Sequence, residues 1–142
     1  MADTDMTIDE REAFLADVRV GILSIAREGK GPLAVPIWYR YRDGEVTIEM
    51  TGDSTKATLL RRRGRATLTV QDEAPPYRYV SVEGPVTVTR DDGDTLGLAI
   101  RYLGERLGTR YARANPPTGR GVVAHLRPEH WLSCDYGKPG AT

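Results

Sequence analysis

The residues of this chain best suited to chemistry are Thr51-Gly52-Asp53-Ser54-Thr55-Lys56-Ala57, which stand between an alternating strand pattern and a Leu/Arg-rich helical one. A strand that breaks at a glycine and restarts as a helix leaves unpaired N–H groups and a positive dipole end at the break. The hydroxyls of Thr51, Ser54 and Thr55 and the ammonium of Lys56 add donors, so the junction suits an anion such as a phosphate. It is not a Walker loop, because the glycine pattern is missing, and the chain has no Gly-x-Gly-x-x-Gly.

If that anion is a cofactor phosphate, the chain should also supply a pocket for a ring. Pro36 interrupts a strand pattern and marks a bulge or an edge, and Trp38 points to the same side two residues on. Pro75-Pro76-Tyr77-Arg78-Tyr79 sets two aromatics and a cation beside a stiff turn, which suits stacking on a flat ligand or an interface contact. Arg61-Arg62-Arg63 with Arg65 is either a solvated helix end or a landing strip for a polyanionic tail. His125 and His130 lack companion carboxylates at ligand spacing, so no metal site is expected. Ser133-Cys134-Asp135 is no nucleophile elbow, and no carboxylate pair stands out, so hydrolase chemistry is not supported.

The elements that must position these groups follow from periodicity and turn residues. Thr7-Ile8-Asp9-Glu10 has capping-box spacing and starts a helix to about Asp17, anchored by Phe14 and Leu15. Strands are predicted over 20–26, 33–42 and 46–50, with Asp43-Gly44 as a hairpin turn. A helix from Ser54 to about Arg63 leads to strands over 66–70 and 77–90. A third helix runs from Thr95 to about Ala112, with Leu96, Ala99, Ile100, Leu103 and Leu107 at helical spacing. Strands over 122–126 and 130–134 finish the chain. The predicted fold is mainly β (α+β): six or seven antiparallel strands closing a small barrel, with two or three peripheral helices.

With 142 residues the chain fits one domain, its core from about 14 to 138 and its ends, 1–8 and 139–142, loose. Twenty basic and twenty acidic residues cancel, which disfavours general nucleic-acid binding. One cysteine, Cys134, excludes an internal disulfide and fits a reducing cytoplasm. The acidic start is no signal peptide, and no apolar run reaches bilayer length, so a cytoplasmic protein without membrane insertion is expected.

Val20-Gly21-Ile22-Leu23-Ser24-Ile25, then Pro32 to Tyr39, Thr51 to Ala57, Leu60-Arg61-Arg62 and Val82-Glu83-Gly84 together resemble the pyridoxamine 5'-phosphate oxidase-like split β-barrel superfamily. Within it the chain is most similar to the small actinobacterial oxidoreductases that use the deazaflavin coenzyme F420, and Trp131 to Lys138 fits that group too. The resemblance implies a homodimer with two cofactor sites at the subunit interface. It places Ser54, Thr55, Lys56 and Ala57, with Thr51, on the phosphate, and Val35, Pro36, Ile37 and Trp38 along the ring. The family commonly has Arg or Asn shortly after the Lys-Ala pair. Here Thr58 and Leu59 stand there, and Arg61 or Arg62 would meet the acidic tail instead.

The expected activity is hydride transfer between a reduced deazaflavin and an unsaturated or conjugated small organic substrate. Tyr77, Tyr79 or solvent would deliver the proton, with Tyr77 and Arg78 also beside the cofactor. An FMN enzyme of the same barrel is the alternative, then a non-catalytic flavin- or haem-binding protein using His125 or His130, then a cofactor-free interaction dimer.

Overall fold

The computed structural model describes residues 3–139. Along the chain come α1 (Ile8–Ala16), β1 (Gly21–Ile25), β2 (Leu33–Ile37), β3 (Arg40–Arg42), β4 (Glu45–Thr51), α2 (Thr55–Arg63), β5 (Arg65–Gln71), β6 (Arg78–Arg90), α3 (Thr95–Ala114), β7 (Gly121–Leu126) and β8 (His130–Asp135). Every pairing is antiparallel, in the order β2-β1-β5-β6-β7-β4-β3, with β8 added on β6. The 13-residue β6 serves two sheets: its first part pairs with β5 and β8, its second with β7.

β2 and β3 stand at opposite ends of this order yet are consecutive in the chain. The Trp38-Tyr39 link therefore spans the seam where the sheet fails to close, and the fold is the expected antiparallel split barrel. Among the described residues there are eight strands, because the predicted strand over 33–42 is two, the chain leaving one edge after Ile37 and joining the other at Arg40. Pro36 is not the interruption. It stays in register opposite Ile22, on an edge strand that tolerates its missing donor.

Alternation builds the core. Leu23 and Ile25, Val46 and Ile48, Leu68 and Val70, and Val80 and Val82 all turn inward and are buried. Each such side chain contributes about 1.5–3 kcal/mol by leaving water. Phe14 and Leu15 of α1 join them, as does Leu60 of α2. The Asp43-Gly44 turn has φ 55 and 73 at its two residues, the left-handed pair that a tight hairpin requires.

The predicted capping box forms, Thr7 Oγ1 accepting from Glu10 N–H and Glu10 Oε1 from Thr7 N–H. Lys138 Nζ also donates to Glu10 at 2.6 Å, and this grip, with the Thr7 amide, holds the carboxyl down to about 2 from 4.5. A depressed folded pKa stabilises fully above about pH 4.5 and is lost as pH falls toward 2. Glu10→Gln is thus expected to show a small Tm deficit at pH 7 that closes in melts taken near pH 2.

The leading segment, expected to be loose, is held where described. Thr4 O accepts from Asp135 N–H, and Met6 is buried with its N–H on Ser133 Oγ. Residues 1–2, and 140–142 of the tail expected to be loose, lie outside the described residues.

α3 departs most from its predicted form. It breaks at Gly104 (φ 83, ψ 170), and residues 105–114 turn back across 95–103. Gly108 is buried there, and a Cβ on it would lie 2.6 Å from Ile100 Cα. Only a glycine allows that approach. Of the five residues at helical spacing only Ala99 is buried and Ile100 is half-buried, because the break separates Leu107 from the rest. Leu98, Ala99 and Gly108 are buried, whereas Leu96, Leu103 and Leu107 are 48%, 37% and 51% exposed.

Candidate functional site

β4 ends at Thr51, and α2 starts after its N-cap Ser54. Ser54 Oγ accepts from Ala57 N–H at 3.2 Å and Ser54 O from Thr58 N–H at 3.1 Å. Among the described residues this leaves the Thr55 and Lys56 amides without an acceptor, at the positive end of the helix dipole. Half-buried Lys56 has no hydrogen bond or ion pair among the described residues. The junction keeps free donors.

Its backbone is fixed from behind. Gly52 N–H donates to Arg120 O at 2.8 Å, and a Cβ there would come within 2.9 Å of that oxygen. Arg61 Nη1 donates to Gly52 O at 2.6 Å. The Asp92 carboxylate accepts from Gly119 and Gly121 N–H at 2.9 and 2.8 Å, holding 118–121 beside Thr51. Glu49 Oε2 accepts from Asp94 N–H at 3.0 Å and from Arg40 at 3.3 Å, tying the start of α3 to β4.

Facing the junction is an aromatic wall. Trp38 stacks on Tyr102 at 5.0 Å and 5°, and Tyr111 leans on it at 5.3 Å and 52°. The two tyrosines come from opposite sides of the Gly104 break, which lets one helix grip one indole twice. The Tyr102 hydroxyl lies 2.7 Å from Arg19 O and 3.1 Å from Tyr39 O, and accepts from Tyr39 N–H at 3.0 Å. Burial raises this phenol's pKa above the ordinary value. Tyr102→Phe strips both polar groups of Tyr39 of that partner, so a loss of about 1–3 kcal/mol is expected in urea unfolding.

Between wall and junction lies a cavity of about 810 Å³, within the usual range for small-molecule sites. Thr51, Lys56, Asp92 and Thr118 line one part, and Val20, Pro36, Ile37, Trp38, Leu98 and Tyr111 another. Of the residues singled out from the sequence, Pro36, Ile37, Trp38, Thr51 and Lys56 thus come together. Ser54, Thr55, Ala57 and Arg61 shape the junction without lining the cavity, Val35 packs against the core, and Arg62 is exposed.

Tyr77, Arg78 and Tyr79 sit elsewhere, at the β8 side of the sheet. Arg78 Nε donates to Asp72 at 2.8 Å, and its guanidinium lies 5.0 Å from the Phe14 ring centre. The histidines are also away from the cavity. His125 Nδ1 meets Glu45 at 2.7 Å and its Nε2 meets Thr89 Oγ1 at 2.9 Å, bridging three strands. His130 lies with Glu83 and Glu129, where Arg65 supplies the positive charge.

Tyr102, Tyr111, Glu49 and Asp92 have no local motif to announce them. The signal that points to the two tyrosines is Gly104, a glycine inside a helical pattern.

The model of the pyridoxamine 5'-phosphate oxidase family matches residues 7–135. The chain belongs to that family. No curated protein matches it. Among solved structures, a conserved hypothetical protein of Mycobacterium tuberculosis is similar at 24% identity and TM-score 0.77, over 96% of this chain and 89% of that one. A protein described as an F420 reductase is similar at 22% identity and TM-score 0.71, over 85% and 94%. A FAD- and haem-binding protein of Mycobacterium smegmatis follows at 18% and 0.71, over 97% and 74%. At these identities the likeness is one of fold, and this member of the family shares the split barrel with all three.

Proposed function

We propose that this protein is an oxidoreductase that binds coenzyme F420 in the cavity between Lys56 and Trp38 and reduces an unsaturated or conjugated organic substrate. The observation that carries this reading is the pairing, in one cavity, of an uncommitted cation and free helix amides with a fixed aromatic wall. The residues fit a phosphate-bearing flat ring. Lys56 and the Thr55 and Lys56 amides would hold the phosphate, assisted by the hydroxyls of Thr51 and Thr118. Trp38, locked by Tyr102, would fix the ring plane with Pro36 and Ile37, while Val20 and Leu98 keep water out.

When bound, the deazaflavin supplies the hydride chemistry. Exposed Arg62 would meet the acidic tail, and Arg61 acts through its hold on Gly52. Solvent delivers the proton, since Tyr77 and Tyr79 are remote from the cavity of their own chain. The deazaflavin reading takes its lead from the likeness in fold to a protein described as an F420 reductase.

The proposed assembly is a homodimer. Pro36, Ile22, Thr69, Ser81 and Leu132 form an outward row across five strands without a charge. Ile22 and Leu132 there are 40% and 60% exposed. An uncharged sheet face that runs into the cavity wall at Pro36 suits an isologous contact beside the site. Purified protein given reduced F420 and a panel of conjugated acceptors is expected to oxidise the deazaflavin by its absorbance, and not NADH. Absence of turnover across enones, quinones and nitroaromatics would count against the reading.

A further inference from the structure

We propose that residues 105–118 are a lid, hinged at Gly104 and Gly119, that opens and closes the cavity between Trp38 and Lys56. The two halves of α3 are held differently. At the start Asp94 N–H is on Glu49, Arg101 Nη2 donates to Ala16 O at 2.9 Å, and the Tyr102 hydroxyl meets the backbone of Arg19 and Tyr39. Beyond the break, among the described residues, no hydrogen bond or ion pair joins 105–117 to anything outside α3 and its cap. Thr109 Oγ1 donates to Glu105 O, and Asn115 Nδ2 to Tyr111 O. Gly108, which has no side chain, is the one buried residue of the segment.

Yet this weakly held segment is a wall of the cavity, which Tyr111, Ala114 and 115–118 all line. Its ends are glycines with φ 83 at Gly104 and 77 at Gly119, in a region that glycine enters freely. The far hinge is anchored, because the Asp92 carboxylate accepts from Gly119 and Gly121 N–H. Packing holds the lid down: Tyr111 leans on Trp38, and Gly108 rests on the Ile100 backbone. Opening therefore breaks no ladder and no ion pair, as suits a segment that moves while the barrel stays folded. It takes Tyr111 off the indole, while Tyr102, on the fixed half, keeps its stack. Closing puts the wall back and shields what the cavity holds from water.

The test is amide hydrogen exchange on the full chain without ligand, so its outcome does not depend on which cofactor the cavity takes. An isolated helix as short as 105–114 is marginal in water, so each opening lets its amides exchange. Those amides are expected to exchange faster than the amides of 98–103. Gly108→Ala then sets a methyl 2.6 Å from the Ile100 backbone, and the segment free to yield is the lid. Alanine favours helix over glycine, so any loosening comes from lost docking. Exchange over 105–114 should rise on the order of tenfold, about what the aromatic contact is worth. In a Trp131→Phe background, where Trp38 is the sole tryptophan, acrylamide should quench its fluorescence more strongly in Gly108→Ala. The urea midpoint of the barrel should match the parent's. Parent amides over 105–114 as well protected as those of 98–103 would overturn the lid. So would a Gly108→Ala protein with a lowered barrel midpoint, or one with exchange and quenching unchanged.

Discussion

Lys56→Ala is expected to weaken a phosphate-bearing cofactor by about 1.5–3 kcal/mol, the range for a hydrogen bond to a charged group. That is one to two decades in Kd, measurable by calorimetric titration. The effect should fall on binding and not on folding. Lys56 is half-buried, has no ion pair among the described residues, and occupies a helix that its neighbours already hold through Ser54, Ala57 and Leu60. Lys56→Arg keeps the charge and should keep most of the affinity. An unchanged Kd in the alanine variant would remove Lys56 from the site.

Gly84→Ala is expected to be the most damaging single methyl group in the barrel. Gly84 sits near the point where β6 passes from one sheet to the other, with its back against the turn between β7 and β8. A Cβ there would lie 1.9 Å from Arg127 O, and Arg127 C and Glu129 N are also within 3.1 Å. These are backbone atoms. They are fixed by Arg127 N–H on Pro85 O and Glu129 N–H on Glu83 O, so the clash cannot be relieved by a side-chain rotation. A loss of about 3–5 kcal/mol follows, in the upper tail for single substitutions. Urea unfolding should show it as a lower midpoint with an unchanged slope. A midpoint equal to the parent's would mean the strand crossing is far more pliant than this packing implies.

Much of the barrel was legible because its causes are local. Period-2 alternation announces β1, β4 and β5, and Asp43-Gly44 and the Thr7/Glu10 box act within four residues of themselves. The phosphate-like junction could be read for the same reason, since Ser54 caps the helix that Lys56 opens. What lay beyond reach depends on which glycine takes a left-handed φ and on what then meets across the fold. Gly104 turns α3 back on itself, so Leu103 and Leu107, four apart in the sequence, fall on opposite sides of the break and are both exposed while Gly108 is buried. Tyr102 and Tyr111 clasp Trp38 only because of that turn, and no spacing rule links position 38 to 102 and 111. Tyr77, Arg78 and Tyr79 show the converse. A stacking-prone cluster in sequence folds away from its own chain's cavity, Arg78 being drawn to Asp72 and Phe14.

The most direct test of the cofactor assignment is a parallel equilibrium titration of the purified protein with F420 and with FMN. F420 should bind well below 100 μM, the Kd that corresponds to roughly 5.5 kcal/mol, and more tightly than FMN. FMN binding more tightly, or neither binding below that level, would contradict it.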